Sequence, residues 1–496
     1  MGIIQRQGIR NSIITYVGLF VGAISLLFVQ PHFLTKEEIG LTRILFSFSS
    51  LMANFTTLGM NSITYRFFPY FRDKEKGHHG YFGLMLVLPF LGFVIFGIIL
   101  FVLKGFIIAK YIDQSKLFTE YFYYIFPLTF FLSFINVLIA YSYSIFRTSV
   151  PAFINDVLVR IGSIILFTIY FVKWLTLSQF IFLFVGIYGL QFILLIVYLF
   201  REDRPTITIN RGYLKEKNVS EMFKYGLLMS IASLSSIGLK YVDSVMLGMY
   251  KPKEVGLNAL DIIGIYSIAA FIATIVEAPL NALEKIAVPQ IAESWAKNDI
   301  QNIEDIYHKS SKYLFLIGGL LFVLVNLNLA SLFALMPDKN FALGGSVVFI
   351  ISLGTLINMS TGNNDAILST SPKYTYMTYS LISIFVIAIL NYLLFIPLFG
   401  MIGAAIATAF SAFLFNLAKY VFIWIFFRIQ PFTINTLKIS GIILITYFIC
   451  GLIPLTIHPV FEIGIRSIAI VSVFITLTIA LNVVPELVLQ WKKKLG

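Results

Sequence analysis

The sequence has little of what a soluble enzyme needs. It contains one cysteine and only 12% charged residues. A single thiol, Cys450, excludes an intrachain disulfide and a thiolate metal site. No GxxxxGK loop, HExxH helix or long polar segment with paired carboxylates is present, and the five histidines lack metal-ligand spacing. We therefore expect no metal, no cofactor and no catalytic residue, and the sequence argues against an enzyme.

Apolar residues dominate the composition of the sequence. They make up 58% of the chain, whose mean hydropathy is +0.89. A bilayer-spanning helix needs about 20 apolar residues, so the sequence predicts an all-α polytopic membrane protein with about fourteen transmembrane helices. The spans are predicted near 11–34, 41–64, 81–103, 120–146, 152–172, 179–200, 222–249, 260–282, 309–335, 344–366, 378–397, 401–428, 437–456 and 464–484.

The charges are mainly basic, with 36 Lys and Arg against 24 Asp and Glu. Most of them lie in loops between apolar runs, which indicates membrane topology rather than a nucleic-acid partner. Loops on the side of the N-terminus carry most of these cations, and an even number of spans puts both termini on one side. The positive-inside rule then predicts a multi-pass protein of the bacterial inner (cytoplasmic) membrane with both termini in the cytoplasm.

A basic loop near the middle of the chain divides it. We predict an N-lobe over 1–200, a cytoplasmic linker over 201–221, a C-lobe over 222–428, and two C-terminal helices with a basic tail over 429–496. The stretches KEEIGL (36–41) and PKEVGL (252–257) resemble each other. Both precede helices that run in the same direction, so the lobes would be parallel repeats, an arrangement that transporters use.

Four ionisable residues form two closely spaced pairs inside predicted spans, where each residue costs about 2.5 kcal/mol or more unless it meets a polar cavity or a partner. Asp156 and Arg160 are four residues apart, and Lys240 and Asp243 are three apart, so each pair shares one helical face. One interpretation is a cavity that attracts an anionic headgroup such as a pyrophosphate. The alternative is an ion pair within each helix. For Lys240 and Asp243 the two interpretations are equally supported, whereas for Asp156 the ion pair is favoured.

A second polar group is predicted in the later helices. It comprises Glu277 and the run Asn363, Asn364 and Asp365 at the inner end of the tenth helix. These residues are candidates for a gate or an ion site, and equally for polar caps at the membrane interface.

Three segments carry a family resemblance. NYLLFIPLFGMIGAAIATAFS (391–411), DSVMLGMY (243–250) and GIYSIAAFIA (264–273) resemble the polysaccharide transporters of the multidrug/oligosaccharidyl-lipid/polysaccharide exporter superfamily. The resemblance implies a multidrug-transporter-like fold of two pseudo-symmetric six-helix lobes around a central cavity, plus two C-terminal helices. It also implies a flippase that moves a polyprenyl-diphosphate-linked oligosaccharide, such as a lipopolysaccharide O-antigen unit, to the outer leaflet. Its partners would be that lipid-linked substrate, membrane lipids and a polysaccharide polymerase.

Other functions stay open at this point. A multidrug/cation antiporter of the same superfamily would need mainly acidic and aromatic cavity residues, whereas a peptidoglycan lipid II flippase shares fourteen spans and cationic cavities. A membrane glycosyltransferase or glycan polymerase would need a sizeable outer domain, and no predicted outer loop is that long. The sequence does not specify the glycan, the driving ion or the oligomeric state.

Overall fold

The structure is a computed structural model that describes residues 3–111, 115–208, 219–254, 256–453 and 457–485. Residues 209–218 of the predicted linker and the basic tail from 486 onward lie outside these ranges. Within them the chain is helical and contains no strand, which confirms the all-α prediction. Lipid offers the backbone no hydrogen-bonding partner, so long apolar runs can satisfy their own amides only as helices.

The chain forms two compact units, Met1–Gly264 and Ile265–Gly496. The first contains α1 (Ile3–Ile24), α2 (Lys36–Thr56), α3 (Met60–Phe71), α4 (Tyr81–Tyr111), α5 (Ile125–Ser144), α6 (Val159–Phe171), α7 (Leu177–Glu202) and α8 (Val219–Gly248). The division falls within α9 (Ala259–Thr274). The second unit continues with α10 (Ala278–Ala296), α11 (Ile300–Ala334), α12 (Gly345–Ser360), α13 (Asn364–Thr370), α14 (Tyr374–Phe427), α15 (Ile434–Gly451) and α16 (Pro459–Ala480).

Eleven helices in the described ranges are long and apolar enough to cross a membrane. One of them, within α14, is two helices joined at Gly400, where φ is 59° and ψ is −131°. The more polar α2 and α8 are not among the eleven. If the two helices of α14 are counted separately and α2 and α8 are added, the total is consistent with the predicted fourteen spans.

Helix starts in the first unit are fixed by polar caps. The Thr35 hydroxyl accepts from the Glu38 amide at 3.2 Å, and the Glu38 carboxylate accepts from the Thr35 amide at 2.8 Å. Thr176 and Gln179 make the same reciprocal pair at the start of α7. Such capping boxes satisfy orphan amides at a helix N-terminus, and they set where α2 and α7 begin.

Close packing of α8 on α2 and α3 determines much of the first unit. A Cβ on Gly59, whose φ is +73°, would lie 1.9 Å from the Gly226 carbonyl oxygen. In the same contact, the side-chain amide of Asn54 donates to the main-chain carbonyl of Ser230 at 3.2 Å. Small residues and interhelical hydrogen bonds are the means by which membrane helices associate, and here they fix α8 against α2.

Two π-helical turns interrupt the regular helices of the first unit. Ser25–Val29 follows α1, and Ile154–Leu158 precedes α6. A π turn carries one extra residue per turn, and such turns are frequent at functional sites. The second turn contains Asp156 and leads directly to Arg160.

Candidate functional site

Arg160 lies in a cradle of glycines on α1. Its Nη1 donates to the Gly18 carbonyl, and a Cβ on Gly22 would lie 2.6 Å from the same nitrogen. A Cβ on Gly18 would lie 2.6 Å from the backbone oxygen of Asp156. Only glycines at both positions allow α1 to approach this closely, so the packing of α1 fixes the position of the guanidinium.

Asp156 belongs to a chain of polar side chains one turn before Arg160. The side-chain amide of Asn155 donates to the Asp156 carboxylate at 2.9 Å. The side-chain amide of Gln191 donates to the side-chain carbonyl of Asn155 at 2.9 Å. Gln191 is almost fully buried. Asp156 and Arg160 interact electrostatically, so the predicted shared face is present, but the carboxylate is held by Asn155 rather than clamped on the arginine.

Arg43 is a residue that the sequence analysis did not identify as a site candidate. It lies within α2, and its guanidinium reaches α8. Its Nη2 donates to the Lys240 carbonyl at 3.4 Å, its Nε makes a long 3.5 Å hydrogen bond to the Ser244 hydroxyl, and its Cζ lies 5.5 Å from the centre of the Tyr241 ring.

Lys240 and Asp243 lie at different depths on α8. The Lys240 side chain is exposed, whereas Asp243 is 6% exposed and accepts from the Ser244 amide at 2.6 Å. The carbonyl of Lys240, rather than its ammonium, contacts Arg43. The cavity role of these two residues stays a prediction.

Tyr188 connects the two arginines. It interacts electrostatically with both Arg160 and Arg43, and Phe46 bridges its ring to that of Tyr241 at centroid distances of 5.6 and 5.7 Å. We call Arg43, Arg160, Tyr188 and Tyr241 the cationic–aromatic cluster. Planar guanidiniums beside aromatic faces are suited to bind phosphate through paired N–H groups.

The second polar group lies in the second unit. The predicted tenth helix ends at Ser360, earlier than expected, because Gly362 adopts a φ of +62° and a new helix, α13, begins at Asn364. Asp365 accepts from the ammonium of Lys419 at 2.7 Å, and Asn364 donates to Thr361 at 3.1 Å and to Asn416 at 3.4 Å.

The remaining predicted members of this group differ in their surroundings. Glu277 lies in the 3₁₀ turn before α10 and is partly buried. Asn363 is 1% exposed, and its backbone amide donates to the Ser310 hydroxyl at 3.3 Å. Both polar atoms of its side chain lack a hydrogen-bond partner within the described ranges. Lys419, which pairs with Asp365, is 2% exposed.

Metal-ligating residues are dispersed. No group of three or more His, Cys, Asp or Glu residues that could hold a metal ion occurs in the part of the chain that the structure describes. The one thiol, Cys450, is buried on α15.

Comparison with solved structures identifies the fold. The lipid II flippase MurJ in an inward closed conformation matches with a TM-score of 0.70 and 16% identity, over 95% of this chain and 97% of that chain. An inward-facing MATE family multidrug resistance transporter of the MOP superfamily matches with a TM-score of 0.62 and 15% identity, over 89% and 99%. A Vibrio cholerae MATE transporter, VcmN, matches with a TM-score of 0.56 and 12% identity, over 85% and 97%.

Sequence comparison identifies the family. No curated protein matches the chain. The model of a family described as "Polysaccharide biosynthesis protein" matches residues 9–295, more than half of the sequence. This match confirms the resemblance predicted from the three segments, and the chain belongs to the polysaccharide biosynthesis protein family.

Proposed function

We propose that this protein is a flippase that moves a polyprenyl-diphosphate-linked oligosaccharide across the inner membrane by alternating access. The substrate would be an O-antigen unit of lipopolysaccharide or the repeat unit of another surface polysaccharide. Membership of the polysaccharide biosynthesis family and the fold shared with flippases and multidrug transporters support this class of function. We further propose cytoplasmic termini, and a polysaccharide polymerase as the protein that receives the flipped substrate.

The cationic–aromatic cluster is the observation that carries the proposal. Its two arginines lie in membrane helices, where an ionised group costs about 2.5 kcal/mol or more. In the described part of the chain neither guanidinium has a carboxylate within 4 Å, and both donate to main-chain carbonyls. Each guanidinium therefore keeps N–H groups that a diphosphate could bind.

The rest of the proposed site follows from charge and exposure. Lys240 is exposed one residue from Tyr241, so its ammonium can add a third positive charge near the diphosphate. Asp243 and Asp156 are held by neighbouring donors, Ser244 and Asn155, which leaves the arginines free to bind an anion. Glu277, Asn363, Asn364 and Asp365 are proposed to act in gating or ion coupling rather than in headgroup binding.

Chromosomal deletion with lipid analysis tests the function directly. We expect undecaprenyl-linked oligosaccharide to accumulate on the cytoplasmic side and the surface polysaccharide to disappear. Accumulation of the peptidoglycan precursor instead would assign the protein to lipid II. Normal polysaccharide with greater sensitivity to cationic compounds would identify a multidrug antiporter and contradict the proposal.

Complementation of that deletion tests the site. Arg43→Gln and Arg160→Gln should each fail to restore surface polysaccharide at normal expression. The matched control is the double variant Arg466→Gln/Glu462→Gln, which removes a membrane arginine together with the carboxylate that it contacts at 2.7 Å. Full restoration by the two single variants would exclude the cationic–aromatic cluster from substrate binding.

A further inference from the structure

Two arginines outside the cationic–aromatic cluster lie against aromatic rings at one end of the first unit. Arg66 belongs to α3, and its Cζ is 4.4 Å from the centre of the Tyr225 ring on α8 and 5.4 Å from that of Phe67. Arg72 immediately follows α3, and its Cζ is 4.6 Å from the centre of the Phe146 ring, just beyond α5. We call Arg66 and Arg72 the interfacial arginines.

The interfacial arginines lie where apolar helices meet a polar loop. Both are exposed, and α3 also exposes the aromatic side chains of Tyr65 and Tyr70. Residues 74–76, which follow directly, are all charged and exposed, and the next candidate membrane span is Gly77–Tyr111. Exposed tyrosines beside a charged loop are typical of the membrane–water interface, where aromatic rings lie at the level of the lipid headgroups.

The contacts of the two guanidiniums leave donors for an anion. Within the ranges that the structure describes, neither has a carboxylate oxygen within 4 Å, and Arg72 donates to the main-chain carbonyl of Ser144. Arg147, at the same end of the unit, differs because its Nε lies 3.0 Å from the Glu202 carboxylate. An aromatic face attracts a cation without forming the strong N–H···O bonds that a carboxylate or phosphate accepts, so the interfacial arginines keep N–H groups for such bonds.

We propose that the interfacial arginines bind the phosphate groups of anionic phospholipids in the surrounding bilayer. A planar guanidinium matches phosphate through paired N–H···O bonds, and a basic residue at the membrane surface is attracted to anionic lipid. The rings beside each guanidinium restrict its motion, so less side-chain entropy is lost when lipid binds. The lipid is a resident of the bilayer rather than the transported substrate, so this inference goes beyond the proposed flippase function and does not depend on it.

Exposed rings beside the arginines favour a lipid over a soluble anion. Phe146 is 58% exposed although Arg72 lies over its ring, and Tyr70 is 63% exposed. A phospholipid can place its phosphate on a guanidinium and the start of its acyl chains on an adjacent ring, whereas a soluble phosphate would contact the guanidinium alone. The surface therefore complements both parts of a phospholipid, the negative headgroup and the apolar chain.

Lipid titration of the full-length protein by native mass spectrometry tests the proposal. Wild type should bind phosphatidylglycerol more tightly than the zwitterionic phosphatidylcholine. The double variant Arg66→Gln/Arg72→Gln should bind phosphatidylglycerol roughly tenfold more weakly, with its affinity for phosphatidylcholine unchanged. The matched control is Lys74→Gln/Lys76→Gln, which removes the same net charge from the adjacent exposed loop and should change the affinity by less than about twofold. Wild-type affinity in the arginine variant, or an equal loss in the lysine control, would overturn the proposal.

A conservative variant keeps the test decisive if the glutamine variant does not fold. Arg66→Lys/Arg72→Lys retains both charges but not the paired N–H groups, so phosphatidylglycerol should bind roughly threefold more weakly. An affinity equal to that of wild type would contradict the proposed guanidinium–phosphate bonds.

Competition identifies the source of the phosphate. Phosphatidylglycerol bound to wild type should persist when inorganic phosphate or undecaprenyl diphosphate is added in equal amount. Displacement by inorganic phosphate would reveal a site for soluble anions. Displacement by undecaprenyl diphosphate, absent in Arg66→Gln/Arg72→Gln, would assign this surface to the transported lipid. Either displacement would overturn a bilayer phospholipid as the occupant, and neither would bear on whether the protein is a flippase.

Discussion

Membrane cations have different partners in the two units of this protein. In the first unit, Arg43 and Arg160 donate to the carbonyls of Lys240 and Gly18. In the second unit, Lys419 and Arg466 each have a carboxylate oxygen at 2.7 Å. A cation bound to a carbonyl dipole keeps its full charge, whereas one bound to a carboxylate forms a neutral pair. The first arrangement is available to an external anion, and the second can stabilise the fold or respond to protonation.

The largest expected effect comes from breaking the neutral pair of Lys419 and Asp365. Lys419→Met leaves Asp365 partly buried without its cation, so the free energy of unfolding should fall by about 3 kcal/mol, at the low end of the range for buried pairs because Asp365 is one-third exposed. Denaturant titration in detergent measures this. The double variant Lys419→Met/Asp365→Asn should recover most of the loss. Equal destabilisation by the single and double variants would show that packing of the lysine stem, rather than the pair, is what matters.

Removing Arg160, which donates to a main-chain carbonyl, should affect transport more than stability. Arg160→Ala loses a charge-assisted contact with the diphosphate that is worth roughly 2 kcal/mol, so transport at limiting substrate should fall about thirtyfold. Initial flipping rates in proteoliposomes provide the measurement. The same comparison for Arg466→Gln/Glu462→Gln should give a rate close to that of wild type. A larger loss in that control would remove the distinction between the units.

A smaller effect should come from moving Arg160 without removing it. In Gly22→Ala the new Cβ would lie 2.6 Å from Nη1, so the guanidinium must shift. Overpacking of this kind costs about 1 kcal/mol, and we expect a transport rate roughly fivefold below wild type. Gly97→Ala on α4 meets nothing within 4 Å and serves as the control. Equal rates for the two variants would mean that the glycine cradle does not position Arg160.

The smallest effect concerns Asp203, a carboxylate of the first unit just beyond the membrane span that ends at Glu202. Asp203 follows α7, and its carboxylate lies 3.0 Å from His78 Nε2 and accepts from the Tyr141 hydroxyl. Burial opposes ionisation, but the hydrogen bonds from His78 and Tyr141 outweigh it and lower the pKa of Asp203. A lowered carboxyl pKa contributes stability above the unfolded-state pKa and loses it as pH falls through the folded-state value.

Asp203→Asn should therefore be less stable than wild type at neutral pH, by about 0.5 kcal/mol, at the low end of the range for a hydrogen bond because asparagine keeps an acceptor for the Tyr141 hydroxyl. The difference between the two proteins should begin to shrink below about pH 4, where the unfolded chain starts to bind a proton at Asp203, and should disappear as pH falls through the lowered folded-state pKa. Thermal unfolding from pH 3 to pH 7 measures it. A difference that stays constant with pH would indicate lost packing rather than the loss of an ionised carboxylate.

Composition and spacing predicted the helices and part of the site. Long apolar runs leave the backbone no alternative to helix, and the four-residue spacing of Asp156 and Arg160 predicted their shared face. Depth was harder to predict. Arg43 and Lys419 lie near the ends of apolar runs, where the sequence does not distinguish a loop-end charge from a buried one. The structure puts Lys419 at 2% exposure because Asp365, on a separate short helix, compensates its charge.

Long-range contacts determine which of these residues meet. The pairing of Asp365 with Lys419 depends on how α13 packs against α14, which the spacing of the two residues in the sequence does not show. One signal for the Arg160 cradle was present in the sequence. Gly18 and Gly22 are four residues apart on α1 and mark a face open to another helix, but nothing in their spacing identifies the arginine that occupies it.

Because a π-helical turn precedes Arg160, the orientation of this arginine depends on how many residues the turn contains as well as on which residues they are. Ile154–Leu158 contains one residue more than an α-helical turn would. Deleting any one of its five residues would restore α-helical hydrogen bonding and rotate everything on one side of the turn by roughly 100° relative to the other. A deletion of one codon within this turn should therefore turn Arg160 away from α1 while every side chain of the cationic–aromatic cluster is retained.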